Sequence, residues 1–334
     1  METIEILQNA WFFIIGFLFI GYAVLDGFDL GIAVLMPALA KKNSERQQVM
    51  DAIWPFWDGN EVWIITAGAS LYAAFPHTYA TVFSGFYLAL MLVLFALIFR
   101  AVSMEFWYYD EKRKNIWSWA FVVGSLVPSI LYGVALGNLL VGIPIDASMN
   151  YGGTFFTLLR PYPLVIGILG LAAILLQGAT YAAHKTDGVV QERAQMLVNR
   201  ILALYAVALV LSFIVTVIYL PQTLSRFPVW IAAIVTVGAL SGVYMWSKNG
   251  FDRKAFMSSS LAFIGLWGIV GTTMYPNLAR STVNEAFNLT IYNSSSTQIT
   301  LTAMSIIALI GMPVVILYSF YVYRIFKGKV SIKQ

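Results

Sequence analysis

The sequence predicts an all-α integral membrane protein with nine transmembrane helices, its N-terminus outside and its C-terminus inside. Three observations predict it. Of 334 residues, 60% are hydrophobic and only 11% charged, with mean hydropathy +0.77; soluble domains carry about 25% charge. Nine apolar runs approach the roughly 20 residues that a helix needs to cross hydrocarbon. Lysine and arginine then alternate between successive connections, as retention of positive loops in the cytoplasm requires.

The runs fall near 9–39, 52–74, 79–104, 116–142, 162–183, 200–220, 227–247, 256–276 and 300–325. Ahead of the first, Met1–Glu5 holds no basic residue, and neither a basic n-region nor a small-residue cleavage site marks a removed signal peptide. Basic residues follow the first run (Lys41, Lys42, Arg46) but not the second. They follow the third (Arg100, Lys112, Arg113, Lys114), the fifth (Lys185, Arg193, Arg200), the seventh (Lys248, Arg253, Lys254) and the last. On this count 17 of the 20 Lys and Arg lie on one side, leaving Arg160, Arg226 and Arg280 on the other. Such a bias favours an odd number of helices. Eight of the ten Trp fall near predicted helix ends, where amphipathic rings favour the headgroup level; Trp63 and Trp267 sit deeper.

The segments 143–161 and 277–299 read as external caps, too short to form a binding domain. Asn288 and Asn293 match the glycosylation pattern, which arises readily by chance. No linker divides the chain, so residues 1–334 form a single polytopic domain. Gly27 with Gly31, and Gly133 with Gly137, have the four-residue spacing that lets helices approach closely. Packing within one chain is the expected use.

Cys is absent, which excludes thiolate metal sites and iron–sulfur clusters held by this chain. Only His77 and His184 could offer imidazole, a poor set for several haems. The dispersed Met read as packing. No nucleotide-binding loop, nucleophile elbow or nucleic-acid-binding face is present. No catalytic residue and no metal site can be named in this chain.

What stands out is acid in hydrocarbon, where one charge costs about 2.5–3.5 kcal/mol on insertion scales. Asp26 and Asp29 are three residues apart in the first run, on one helix face. Trp54, Trp57, Asp58 and Glu61 follow i, i+3, i+4, i+7 in the second, one continuous stripe on a single helix. A short loop makes the two helices antiparallel neighbours. The four carboxyls would then form a ladder leading inward from the cytoplasm, with Asp58 one to two turns deep. Burial and like charge leave such groups able to hold or release a proton, as a relay requires. The competing reading is structural: Asp or Asn side chains cap broken helix turns beside Gly27 and Gly59, or tie helices together. Arg100, at the inner end of the third run, is expected to snorkel to the headgroups, with pairing to one of the acids as the alternative. Asn138, Gln177 and Gln298 are expected to make interhelical hydrogen bonds.

The segments Gly21–Gly31 (Gly-Tyr-Ala-Val-Leu-Asp-Gly-Phe-Asp-Leu-Gly) and 57–68 (Trp-Asp-Gly-Asn-Glu-Val-Trp-Ile-Ile-Thr-Ala-Gly) carry a resemblance. With Phe83–Tyr87, Gly137–Leu140 and Gln177–Tyr181, they resemble subunit II of the cytochrome bd-type quinol oxidases along most of the chain. The resemblance implies two four-helix bundles (about 1–143, and from about 162 onward) plus one peripheral helix ending near 326. It implies a complex of the prokaryotic cytoplasmic membrane that oxidises quinol and reduces dioxygen to water. Haem b and haem d would belong to subunit I, with none in this chain. A small single-helix accessory subunit is a further expected partner. A quinone bound within subunit II is known in part of the family. An Asp at the position of Asp58, beside the Trp at Trp57, is associated with a proton channel from the cytoplasm. Glu61 stands where some members have Gln, adding a titratable group. The rival from another class is a proton-coupled secondary transporter, which favours inverted repeats and broken helices around a midplane site; no convincing pair of these is seen. A purely structural subunit is the third reading.

Overall fold

The computed structural model describes residues 3–331, and the chain in it is almost wholly helical. Eleven α-helices run in order: α1 (Thr3–Leu39), α2 (Asn43–Ile53), α3 (Trp57–Ala74), α4 (Pro76–Gly85), α5 (Tyr87–Tyr109), α6 (Lys114–Val141), α7 (Pro161–Lys185), α8 (Gly188–Tyr219), α9 (Phe227–Lys248), α10 (Asp252–Met274) and α11 (Gln298–Ile325). Among the described residues, eight helices are long and apolar enough to cross a membrane: α1, α5 to α10, and α11. The remaining expected span corresponds to α3. It has 18 residues and falls short because Asp58, Asn60 and Glu61 crowd its first turns.

Two boundaries correct the sequence reading. The expected helix over 52–74 does not begin at 52. Residues 43–53 form the separate, polar α2, the chain turns through Trp54–Phe56, and α3 starts at Trp57. Trp54 keeps helical geometry (φ −45°, ψ −42°), but Pro55 has no N–H to continue the ladder and Phe56 leaves the helix (φ −122°, ψ −32°). The run expected over 79–104 is likewise broken. α4 stops at Gly85, and the buried Phe86 leaves helical geometry (φ −97°, ψ 11°) before α5 resumes.

α1 is the axis of the molecule. It packs against α3, α6, α7 and α10, and every residue from Asp26 to Ala33 is buried. Its closest neighbour is α7, at a crossing made by two glycines. A methyl added to Gly31 would lie 2.1 Å from the Ile174 carbonyl, and one added to Gly178 would lie 2.2 Å from the Gly31 carbonyl carbon. The α6–α7 crossing repeats the device at Gly133 and Gly137. Gly27, by contrast, has ordinary room beside Phe263. α11 buries only Leu301 and rests lightly on α1 and α3.

The ends of the bundle differ. At one end, residues 142–160 and 275–297 form a folded cap. It contains a two-stranded antiparallel sheet, β1 (Asn277–Ala279) with β2 (Leu289–Thr290), and a small core of Phe86, Ile143, Ile145, Leu158, Ala279 and Leu289. Asn288 accepts the Ser281 N–H at 2.7 Å and Asn293 accepts that of Thr290 at 2.7 Å, so both amides are used in turns. The three arginines of this end all cap helix C-termini, whose last carbonyls lack partners. Arg160 donates to the Gly142 carbonyl and to Asn138, Arg226 to those of Thr272 and Tyr275 (both 2.7 Å), and Arg280 to that of Thr273. Asn138 also donates to the Leu158 carbonyl at 2.8 Å, tying α6 to the cap. Gln298 does not bridge helices as expected; it is exposed in the first turn of α11.

At the opposite end, Glu45 gathers the connection after α1. Its Oε2 accepts the N–H groups of Lys41 (2.6 Å) and Lys42 (3.2 Å) and pairs with Arg193 at 2.7 Å. Gln48 holds the Val330 carbonyl at 2.6 Å, and the Val330 N–H donates to Lys185, so the tail is stitched to α2 and α7.

Candidate functional site

Three helices meet at one arginine. α1 presents Asp26 and Asp29, α3 presents Asn60 and Glu61, and α5 presents Arg100. α6 closes on them from behind because Gly124 allows it: a methyl there would lie 2.7 Å from the Ala96 carbonyl and 2.8 Å from the Arg100 nitrogen. Gly21 similarly admits the Trp63 ring, 2.1 Å from where a Cβ would stand. The sequence thus keeps side chains off the positions where the polar groups must converge.

Arg100 does not snorkel. It is fully buried and grips Asp26 with two bonds, Nη2–Oδ1 at 2.8 Å and Nη1–Oδ2 at 3.2 Å. The same Nη1 donates to Glu61 Oε1 at 3.0 Å, and Asp29 Oδ2 lies 4.0 Å from Nη2. A planar, forked guanidinium suits this bidentate demand in a way an ammonium cannot. Burying one partner alone would be costly, so paired burial outweighs the reach to the headgroups.

Asn60 was not singled out in the sequence, yet it organises the site. Its Nδ2 donates to Asp29 Oδ2 at 2.7 Å and to the Leu25 carbonyl at 3.2 Å, while its Oδ1 accepts from Tyr323 of α11 at 3.0 Å. The signal was present in the helix repeat. Asn60, Trp63, Ala67 and Ala74 are the buried residues of α3, at spacings of 3, 4 and 7. That stripe, with its small residues, faces α1. Tyr323 carried no comparable signal. One layer away, Tyr22 and Tyr132 join their hydroxyls at 3.0 Å.

Three of the four predicted carboxyls therefore come together, and one does not. Asp58 is exposed, and no side-chain hydrogen bond or ion pair holds it among the described residues. It lies two residues before Asn60, about 200° round the helix. The predicted stripe of Trp54, Trp57, Asp58 and Glu61 is broken because Trp54 precedes the helix. Trp54 is instead exposed and packs edge-on to Tyr108 (5.1 Å, 76°), and Trp57 is half-buried against the main core. Glu61 is intermediate: 20% of its side chain is exposed, while Asp26, Asp29 and Arg100 have none. Asp29 Oδ1 and Arg100 Nε have no hydrogen-bond partner among the described residues. Three carboxyls thus surround one guanidinium, an excess of acid over base.

Gln177 makes the expected interhelical bonds. Its Nε2 donates to the Val24 carbonyl at 3.1 Å and to Ser260 at 2.8 Å, and its Oε1 accepts from Ser259. The two histidines lie away from this cluster. His77 is exposed at the start of α4, and His184 stacks on Phe256 (6.3 Å, 17°). Neither lines the apolar groove of about 260 Å³ between α9 and α10.

The family model for cytochrome bd terminal oxidase subunit II matches residues 7–326. The chain belongs to this family. Subunit II of the bd-I ubiquinol oxidase of Escherichia coli is 32% identical over 99% of this chain and 97% of its own length. The corresponding Bacillus subtilis subunit is 31% identical over 98% of each. The solved bd oxidase of Geobacillus thermodenitrificans superposes with TM-score 0.81 over 96% of this chain and 98% of the matched chain, at 16% identity, so the likeness there is one of fold. Membership makes the chain a subunit of an oxidoreductase and implies a subunit I partner. It also supersedes the transporter reading.

Proposed function

We propose that this subunit II serves a quinol:oxygen oxidoreductase of the prokaryotic cytoplasmic membrane. It scaffolds the haem-bearing subunit I and supplies a proton route to it from the cytoplasm. Protons consumed in forming water are drawn from inside while quinol protons leave outside, which separates charge without a pump. In this reading α3 is the ninth span, the basic end faces the cytoplasm, and the helices divide into two four-helix bundles with α11 peripheral. Haem b and haem d reside in subunit I, which also receives quinol from the pool; this chain binds none of the haem.

The observation that carries the route is the graded exposure of the acids. Asp58 is exposed, Glu61 is partly exposed and bonded to Arg100, and Asp26 and Asp29 are enclosed around the same guanidinium. Asp58 and Glu61 are three apart, so a proton can pass between them directly or through one water. An exposed carboxylate on a helix embedded in hydrocarbon is costly against lipid, and Asp58 therefore turns toward subunit I or a water-filled cleft. Purification of the tagged chain tests the assignment: a haem-rich second polypeptide should co-purify with quinol-driven oxygen uptake. In that complex Asp58→Asn should lower turnover with haem retained. Wild-type turnover would sink the relay role, and joint loss of haem and subunit I would make the residue structural.

A further inference from the structure

A second feature at the basic end points to a ligand. α1, α2 and α6 enclose a pocket of about 130 Å³ whose sides differ in character. Its buried floor is mostly apolar, made by Met36, Ala40 and Val122 with one hydroxyl, that of Ser118. Trp119 forms one wall and is 61% exposed. The mouth carries Lys41 and Arg46.

Among the described residues, the two cations lack counter-charges. Lys41 Nζ donates to the Pro37 carbonyl at 2.7 Å; Arg46 Nη1 donates to Asn115 at 2.5 Å and to Asn43 at 3.5 Å. All three acceptors are neutral. Neither cation is in an ion pair among the described residues, because the nearby acids are engaged elsewhere: Glu45 with Arg193, and Glu111 with Lys114. Positive charge at the mouth, an apolar floor and an exposed indole beside it match one kind of molecule. It must bear a negative phosphate and a hydrocarbon chain at the depth where the helices leave the membrane.

We infer that this pocket binds an acidic phospholipid, its phosphate between Lys41 and Arg46 and its acyl chain along Met36, Val122 and Trp119. A zwitterionic lipid offers the same chain without the net charge. Free phosphate offers the charge without any use for the apolar floor. The site needs this end of the bundle to meet lipid headgroups; it does not depend on the proton route.

Quenching tests it in the intact complex. Phosphatidylglycerol with brominated chains should quench Trp119 emission, read as the difference between wild-type and Trp119→Phe complexes. Each removed charge should weaken binding about fivefold, so Lys41→Gln with Arg46→Gln should raise the half-saturating concentration about 25-fold. Lys41→Arg should leave it unchanged. Brominated phosphatidylcholine should quench far less, and millimolar inorganic phosphate should not relieve the quenching. Haem content confirms that each variant assembles. Equal binding by wild type and the double variant would overturn the proposal, as would equal quenching by the two lipids. Relief by inorganic phosphate would replace the lipid with a free anion.

Discussion

Two amide side chains reach consecutive carbonyls of α1 from opposite sides. Gln177 takes Val24, and Asn60 takes Leu25. Beyond that shared contact the two sides diverge. On the α7–α10 side the linked groups are neutral and the network closes: Gln177 uses both ends of its amide, accepting from Ser259, and the Ser259 and Thr180 hydroxyls share a bond at 2.9 Å. On the α3–α5 side the groups are ionic and the network stays open, with Asp29 Oδ1 and Arg100 Nε unpartnered among the described residues. A closed neutral network suffices to hold helices together. An open one with surplus carboxyls is what the proposed proton route requires.

The comparison can be broken most forcefully at Arg100. Arg100→Leu leaves three carboxyls without their cation, and stripping one partner from a buried pair costs about 3–5 kcal/mol. Loss of assembled complex, seen as missing haem absorbance in purified membranes, is the expected result. Glu61→Gln is subtler, since the amide can still accept from Arg100. Assembly should persist while oxygen uptake falls severalfold, short of the roughly hundredfold that an indispensable proton-transfer group supplies, because Glu61 adds a titratable group where some members of the family have Gln. Unchanged uptake would reduce the ionic side to a tie between helices. The neutral side should respond weakly: a double-mutant cycle of Gln177→Leu and Ser259→Ala should give a coupling of about 0.6 kcal/mol in unfolding, with turnover unaltered.

The smallest effect tests an ion pair outside the membrane. Burial raises the Glu45 carboxyl, but the Lys41 N–H, Arg193 and the Lys42 N–H outweigh it and hold the group below its ordinary value. Its stabilisation is therefore present above the unfolded pKa of about 4.3 and is lost as pH falls through the lower folded value. The unfolding midpoint of the wild-type complex should drop on acidification below about pH 4, and Glu45→Gln should remove that component.

The sequence disclosed the helices well because apolar length and charge alternation are local properties. It misplaced the start of α3 and missed the break at Phe86, where a proline and a buried aromatic override hydropathy. At the site it found Asp26, Asp29 and Glu61 by their cost in hydrocarbon. Arg100 was misjudged because burial depends on partners from two other helices, which no spacing within α5 reveals. Local helix geometry groups Asp58 with Glu61, yet burial follows the stripe through Asn60, Trp63 and Ala67. Tyr323 lies 263 residues from Asn60, beyond any local pattern.

Arg226 carries a consequence for how the chain is put together. It stands between α8 and α9, but the carbonyls it caps, those of Thr272 and Tyr275, lie 46 and 49 residues further along. The α8–α9 hairpin therefore emerges from synthesis with an unmet cation at its tip. That tip is completed only when α10 has arrived and packed along α9. One side chain thus ties the turn between α8 and α9 to the far end of α10, across the whole length of α9.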